Sequence, residues 1–324
     1  MRSFVCRGFG DLDAIAIEEH PDPVPGAGEV LVRMTAANVA FVDRLIVRGE
    51  YQVRPPLPFT PGVVAAGEVL STGPGVEHLQ PGTSVVLLKS SYGAWSTHVV
   101  VPAWAVVPTP ANVPDEIAAA AIEAYGTASY ALEERGGLAP GETVLILGAG
   151  GAVGAAAVEI ALHLDAEVIA HTSDTTIWDD HRVRPQHIID RKEHPDIRAY
   201  MREHFPRGVD LAMDPVSGDQ ANGVLRSLAP NGRMLVVGFA GGSIASLASN
   251  FILLSNRAVI GVEWATWITT NTQHLARTLD VVLNRLSRGA FHPPKPTMVS
   301  LDELPEVLAE GVPASGLVRT IVTP

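Results

Sequence analysis

The residues best placed to do chemistry form one stretch, Val144-Leu145-Ile146-Leu147-Gly148-Ala149-Gly150-Gly151-Ala152-Val153-Gly154-Ala155. An apolar strand runs into glycines and then into an Ala-rich helix. Small residues let the backbone approach a pyrophosphate, and a helix N-terminus offers free N–H groups and a favourable dipole. Gly154 lets the helix lie close to the sheet. The next strand follows about 20 residues on, as a dinucleotide-binding unit requires.

That second strand chooses the cofactor. It ends Val168-Ile169-Ala170-His171-Thr172-Ser173, with Asp174 one step beyond. A carboxylate at this tip would read the ribose hydroxyls of NAD. Hydroxyls suit a 2′-phosphate, with Arg191, or Arg182 and Arg184, supplying charge from neighbouring loops. NADPH is the expected cofactor and NADH the less favoured one, with Asp174 swinging inward as the alternative.

The elements that must hold this loop alternate in kind. Runs at Glu29–Thr35, Val63–Leu70, Val85–Leu88 and Ser96–Val101 read as strands between Pro/Gly breaks. Phe41, Val42, Leu45 and Ile46 sit at helical spacing, and Gly49 stops that helix. Asp115 is placed to cap a helix over Ile117–Ile122, and a second helix is expected over Thr127–Glu134. Strands then alternate with helices: Thr143–Leu147, Glu167–His171, His187–Ile189, Val209–Met213, Arg233–Gly238 and Val259–Val262. A weak helix is expected after the second of these, and others from Asp196 and across Gln220–Leu228. This rhythm predicts a doubly wound parallel sheet. A helix at Thr272–Leu286, a short one at Asp302–Leu308 and a strand at Leu317–Val322 follow, the strand positioned to complete the first β domain.

Composition closes off other classes. The chain has 324 residues, 47% hydrophobic and 18% charged, with 30 glycines and 25 prolines. That describes a globular chain of two domains rich in turns. A net charge of -12 repels nucleic acid and anionic membranes. No apolar run approaches a membrane span and no signal segment opens the chain, so the cytoplasm is the expected place. The single cysteine, Cys6, reads as a buried strand residue and cannot build a thiolate zinc site.

Six stretches in order resemble the zinc-free quinone oxidoreductase (zeta-crystallin-like) branch of the medium-chain dehydrogenase/reductase superfamily. They are Arg48–Gly62, Tyr92–Pro102, Tyr125–Leu132, Pro140–Gly148 with the loop after it, Gly208–Val216 and Gly232–Ala240. The resemblance implies an α/β protein: a GroES-like β-rich catalytic domain (residues 1–123 and 267–324) with an inserted doubly wound Rossmann domain (residues 124–266). It implies NADPH in the cleft between them and a homodimer joined through the strand at Ala258–Trp264. It places Thr127, Gly238, Phe239 and Ala240 around the nicotinamide, beside the loop residues Gly148, Gly150, Gly151, Ala152, Val153 and Gly154 and the phosphate readers Thr172, Ser173 and Arg191. Phe41, Leu45, Trp264 and Trp267 would line the substrate cleft, with core or dimer packing the alternative for Phe41 and the two tryptophans, and Tyr51 the one nominated acid.

Several positions depart from the pattern. Where zinc-dependent relatives show Gly-His-Glu, this chain has Gly62-Val63-Val64. Ala40 stands in place of an Asn, Ala152 in place of a second glycine, and no Lys lies in Ser173–Asp180. No metal is expected, which argues against simple alcohol oxidation, where an alkoxide must be stabilised. A quinone or a conjugated carbonyl is already electrophilic, and hydride transfer to it needs mainly proximity and orientation. The expected substrate is such a small molecule. An enoyl-thioester reductase and a catalytically weak NADPH-binding protein are the alternatives. His98 and His171 read as ordinary hydrogen-bonded residues.

Overall fold

The structure is a computed structural model describing residues 1–10, 15–51, 53–89, 91–179, 181–310 and 319–324. Asp180 and the expected start of the last strand at Leu317 lie outside the described residues.

A ribbon of β1 (Arg2–Cys6) and β2 (Ile15–Glu19) opens the chain. Next come β3 (Glu29–Asn38), α1 (Phe41–Arg48), β4 (Val64–Thr72), β5 (Ser84–Leu88), β6 (His98–Pro102) and β7 (Val106–Pro108). The long helix α2 (Asp115–Ser129) leads into β8 (Thr143–Leu147), α3 (Ala152–His163), β9 (Glu167–Thr172), β10 (His187–Asp190), α4 (Ile197–His204) and β11 (Val209–Asp214). Then follow α5 (Ala221–Ser227), β12 (Leu228–Val236), α6 (Ser249–Leu253), β13 (Ala258–Gly261), α7 (Trp267–Thr270) and α8 (Thr272–Ser287). The chain closes with β14 (Thr297–Ser300), α9 (Leu304–Glu310) and β15 (Thr320–Thr323).

The first sheet runs β14-β15-β3-β4-β5-β7, with β6 also on β3. Its long strand alternates: Val30, Val32 and Met34 are buried while Arg33 and Thr35 face outward, as in an antiparallel sheet wet on one side. Trp95 fills its core and donates its indole N–H to the Asn38 carbonyl at 2.9 Å. The second sheet is entirely parallel, in the order β10-β9-β8-β11-β12-β13. Its central strand β8 is apolar from Val144 to Leu147, as burial on both faces demands.

The helix α2 binds the two sheets together, touching β3, β4 and β5 on one side and α3 and α8 on the other. Two separate helices were expected here, yet α2 passes through Gly126 unbroken and continues as a π-helical turn over Tyr130–Arg135. A Cβ on Gly126 would lie 2.3 Å from the Trp264 ring, so this glycine makes room for an indole and is not a helix stop. The cap is Pro114; Asp115 sits in the first turn and accepts from Thr35 Oγ1 (2.6 Å) and Ser84 Oγ (2.9 Å). The weak helix expected after β9 is a single 3-10 turn, Thr176–Trp178. The strand expected at Arg233–Gly238 stops at Val236, leaving Gly238 in the loop beyond.

Candidate active site

The strand order reverses between β8 and β11, and at such a switch point the loops beyond the strand ends open a crevice. The glycine loop lies there. Gly148 takes φ 59°, a left-handed conformation that glycine adopts at little cost. A Cβ on Gly150 would stand 2.6 Å from Thr172 Oγ1, and one on Gly154 would stand 2.1 Å from the Gly148 carbonyl oxygen. Gly151 is the N-cap of α3, and Ala152, Val153 and Gly154 form its first turn. The first N–H groups of a helix have no intrahelical acceptor, so this end presents donors to an anion. The residues therefore fit a dinucleotide pyrophosphate.

The loops after β11 and β12 close the other side. Asp214 accepts the N–H groups of Val216 (2.9 Å) and Ser217 (2.7 Å). Ala240 N–H donates to Pro215 O and Gly241 N–H to Val216 O. Gly238, Phe239 and Ala240 thus lie against the switch-point loop, with Phe239 36% exposed.

At the tip of β9, Thr172 is buried and its hydroxyl is used within the turn, bonding the Asp174 backbone. Ser173 is exposed. The Asp174 carboxylate accepts from Thr176 N–H (3.0 Å) and O–H (2.6 Å), which holds it below the usual carboxylate range. Arg191 follows β10, donates its N–H to Thr172 O, and is exposed; its charge adds to burial in pushing His171 down to about 4. Lys192, which the sequence reading passed over, lies near enough to Asp174 to feel its charge.

On the facing side, α1 begins at Phe41, 55% exposed, with Leu45 half-buried one turn on. Its N-cap, Ala40, has no side-chain oxygen, so only the reverse half of a capping box exists: Asp43 accepts the Ala40 N–H at 3.0 Å. Burial, then the charge of Glu123, pushes Asp43 well above the carboxylate range. Tyr51 is half-buried, and burial followed by the charges of Glu263 and Glu123 raises its phenol. Trp264 is only 6% exposed and fills the space above Gly126. Trp267 stacks on Tyr130 at 4.8 Å and borders an open hollow of about 450 Å³ with Glu263. Trp264 is thus a packing residue, and Trp267 stands at the rim.

Two residues of this cleft escaped the sequence reading. Glu123 on α2 accepts from Asn38 Nδ2 at 3.3 Å. Arg319, just before β15, donates to the Ala152 carbonyl at 3.0 Å, and its charge reaches Glu123 and Tyr125. Each is a lone charge in an apolar run, a signal that was available. Their partners come from distant segments and were not.

Residues 26–111 match the alcohol dehydrogenase GroES-like domain and residues 152–280 the zinc-binding dehydrogenase family. Quinone oxidoreductase-like protein 2 of Mus musculus is 35% identical over 289 residues, covering 89% of this chain and 82% of that protein. The chain belongs to the medium-chain dehydrogenase/reductase superfamily. Its relatives there include quinone oxidoreductase-like proteins, and it is an NAD(P)-dependent oxidoreductase. A Mycobacterium abscessus protein described as a probable oxidoreductase superposes with a TM-score of 0.84 at 29% identity, covering 100% of this chain and 99% of that one. A mycobacterial protein solved in complex with NADPH shares the fold, with a TM-score of 0.86 at 22% identity over 100% of both chains. Among the described residues, no group of three or more His, Cys, Asp or Glu side chains is arranged to hold a metal ion. None of the described helices is long and apolar enough to cross a membrane.

Proposed function

We propose that this superfamily member reduces quinones or conjugated carbonyls, enones and enals, with NADPH and without zinc. The observation that carries the reading is the glycine loop at the switch point of the parallel sheet, where Gly150 and Gly154 leave no room for a side chain and the start of α3 is open to a pyrophosphate. When bound, the reduced nicotinamide supplies hydride. Gly148–Gly151 and the first turn of α3 would hold the pyrophosphate, and Thr127 and Gly238–Ala240 would border the nicotinamide. Preference for NADPH follows from Asp174, whose carboxylate is engaged by Thr176, and from Arg191 and Lys192 beside the tip of β9. In this reading residues 124–266 form the cofactor domain and residues 1–123 and 267–324 the substrate domain, with α2 shared.

Protein residues then do the remaining work. Apolar side chains of α1 exclude water on one side of the cleft, and the phenol of Tyr51 is kept protonated for donation. Steady-state NADPH oxidation with a panel of quinones and enones tests the reading, with and without a chelator. Turnover insensitive to chelation is expected. Tight NADPH binding with no acceptor consumed would sink it.

A further inference from the structure

We propose that Glu123 is the proton donor of the cleft, supplying the proton that accompanies the hydride in the reduction. The inference rests on the reductase reading above and adds its proton source.

Geometry comes first. From Ala118 through Leu132 every residue is buried except Glu123 and Thr127. Four residues apart on one helix, they share a face, and that face is the one opening of this stretch. Glu123 is also the sole charge between Ile117 and Leu132. A lone carboxyl set there, deep in the molecule yet partly open, lines the cleft one turn from Thr127.

Its surroundings come from four elements. Asn38 of β3 donates to it at 3.3 Å. Asp43 of α1 and Tyr51 beyond that helix both feel its charge. Arg319 ahead of β15 faces it while holding the Ala152 carbonyl at the start of α3. Burial raises the Glu123 carboxyl by more than Arg319 and Asn38 lower it. Burial is thus what favours the proton on Glu123, while the charge of Glu123, when it ionises, raises Asp43 and Tyr51 in turn.

The step balances. With hydride delivered to the β-carbon of a conjugated carbonyl, the carbon–carbon π pair shifts to join the α-carbon to the carbonyl carbon, and the carbonyl π pair moves onto oxygen as an enolate. The Glu123 O–H bond breaks and its proton goes to that oxygen, and the enol so formed tautomerises, losing its O–H proton and gaining one at the α-carbon, to give the saturated carbonyl. Asn38 and Arg319 hold the resulting carboxylate until water returns a proton.

Two measurements test this. Infrared difference spectra of the ligand-free protein against Glu123→Gln at neutral pH should show a protonated-carboxyl band that the variant lacks; a carboxylate difference alone overturns the proposal. With an enone, Glu123→Gln should lower kcat by about a hundred-fold and flatten the basic limb of the pH profile. NADPH affinity should stay within roughly two-fold, and added formate should restore rate to Glu123→Ala. An unchanged kcat and pH profile overturns the proposal and leaves the reductase reading standing. A wild-type chain that reduces neither quinone nor enone overturns both.

Discussion

Single atoms decide whether the glycine loop works. Gly151 has φ −84°, which any residue can adopt, and a Cβ there would meet only the Gly148 carbonyl, at 3.2 Å. Gly151→Val should therefore fold with little loss in Tm while its branched side chain fills the pyrophosphate space, abolishing NADPH binding by fluorescence titration. Gly154→Ala is different: its Cβ would stand 2.1 Å from the same oxygen, and both Tm and binding should fall. A Gly151→Val protein that binds NADPH normally would displace the loop from the site. Ala152 is already helical, so Ala152→Gly would cost stability without opening the loop. His171 offers a test by pH. It is 2% exposed, and burial with Arg191 depresses it from 6.5 to about 4. Between those values the unfolded chain binds a proton that the folded one refuses, so stability declines as pH falls through the window, by up to about 3 kcal/mol. Thermal melts from pH 7 to pH 4.5 should show this slope, and His171→Leu should shed part of it; an equal slope in the variant would exclude His171 as the source.

At the scale of elements, α1 shows how a missing atom matters. Ala40 leaves the first turn with half a cap, so Ala40→Ser should add the missing acceptor and raise stability by about 1 kcal/mol, read by denaturant melts. No gain would mean that the hydroxyl cannot reach the N–H groups of that turn. Helix α1 itself was legible because Phe41, Leu45, Ile46 and Gly49 carry periodicity and stop together. The parallel strands were legible for the same reason: runs such as Val144–Leu147 can be buried on both faces only inside a sheet. Sequence misled at Gly126, because the residue that explains it, Trp264, lies far along the chain. The cleft was half legible. Its glycines announce themselves through local spacing, whereas Glu123, Asn38 and Arg319 meet only by tertiary contact.

At the scale of the whole molecule, β13 ends the parallel sheet and, among the described residues, pairs with β12 alone. Just before it, Leu253 and Leu254 are each 76% exposed, and Ile244 is 72% exposed. An open strand edge beside bare leucines invites a second copy, so we expect a dimer by sedimentation, and a monomer for the Leu253→Glu, Leu254→Glu double variant. A monomeric wild-type protein would refute this. The other sheet closes in another way. Its β15 pairs with β3, Ile321 opposite Asn38 and Val322 opposite Ala37, so partners from nearly opposite ends of the sequence must find each other. Closing so long a loop is entropically costly, and sheets built on such contacts assemble slowly. During refolding the β15-facing edge of β3 stays bare until the C-terminal segment docks, and a bare edge can template a neighbouring chain. Yield on refolding should therefore fall steeply with protein concentration, and a peptide of the last residues added early should compete for that edge.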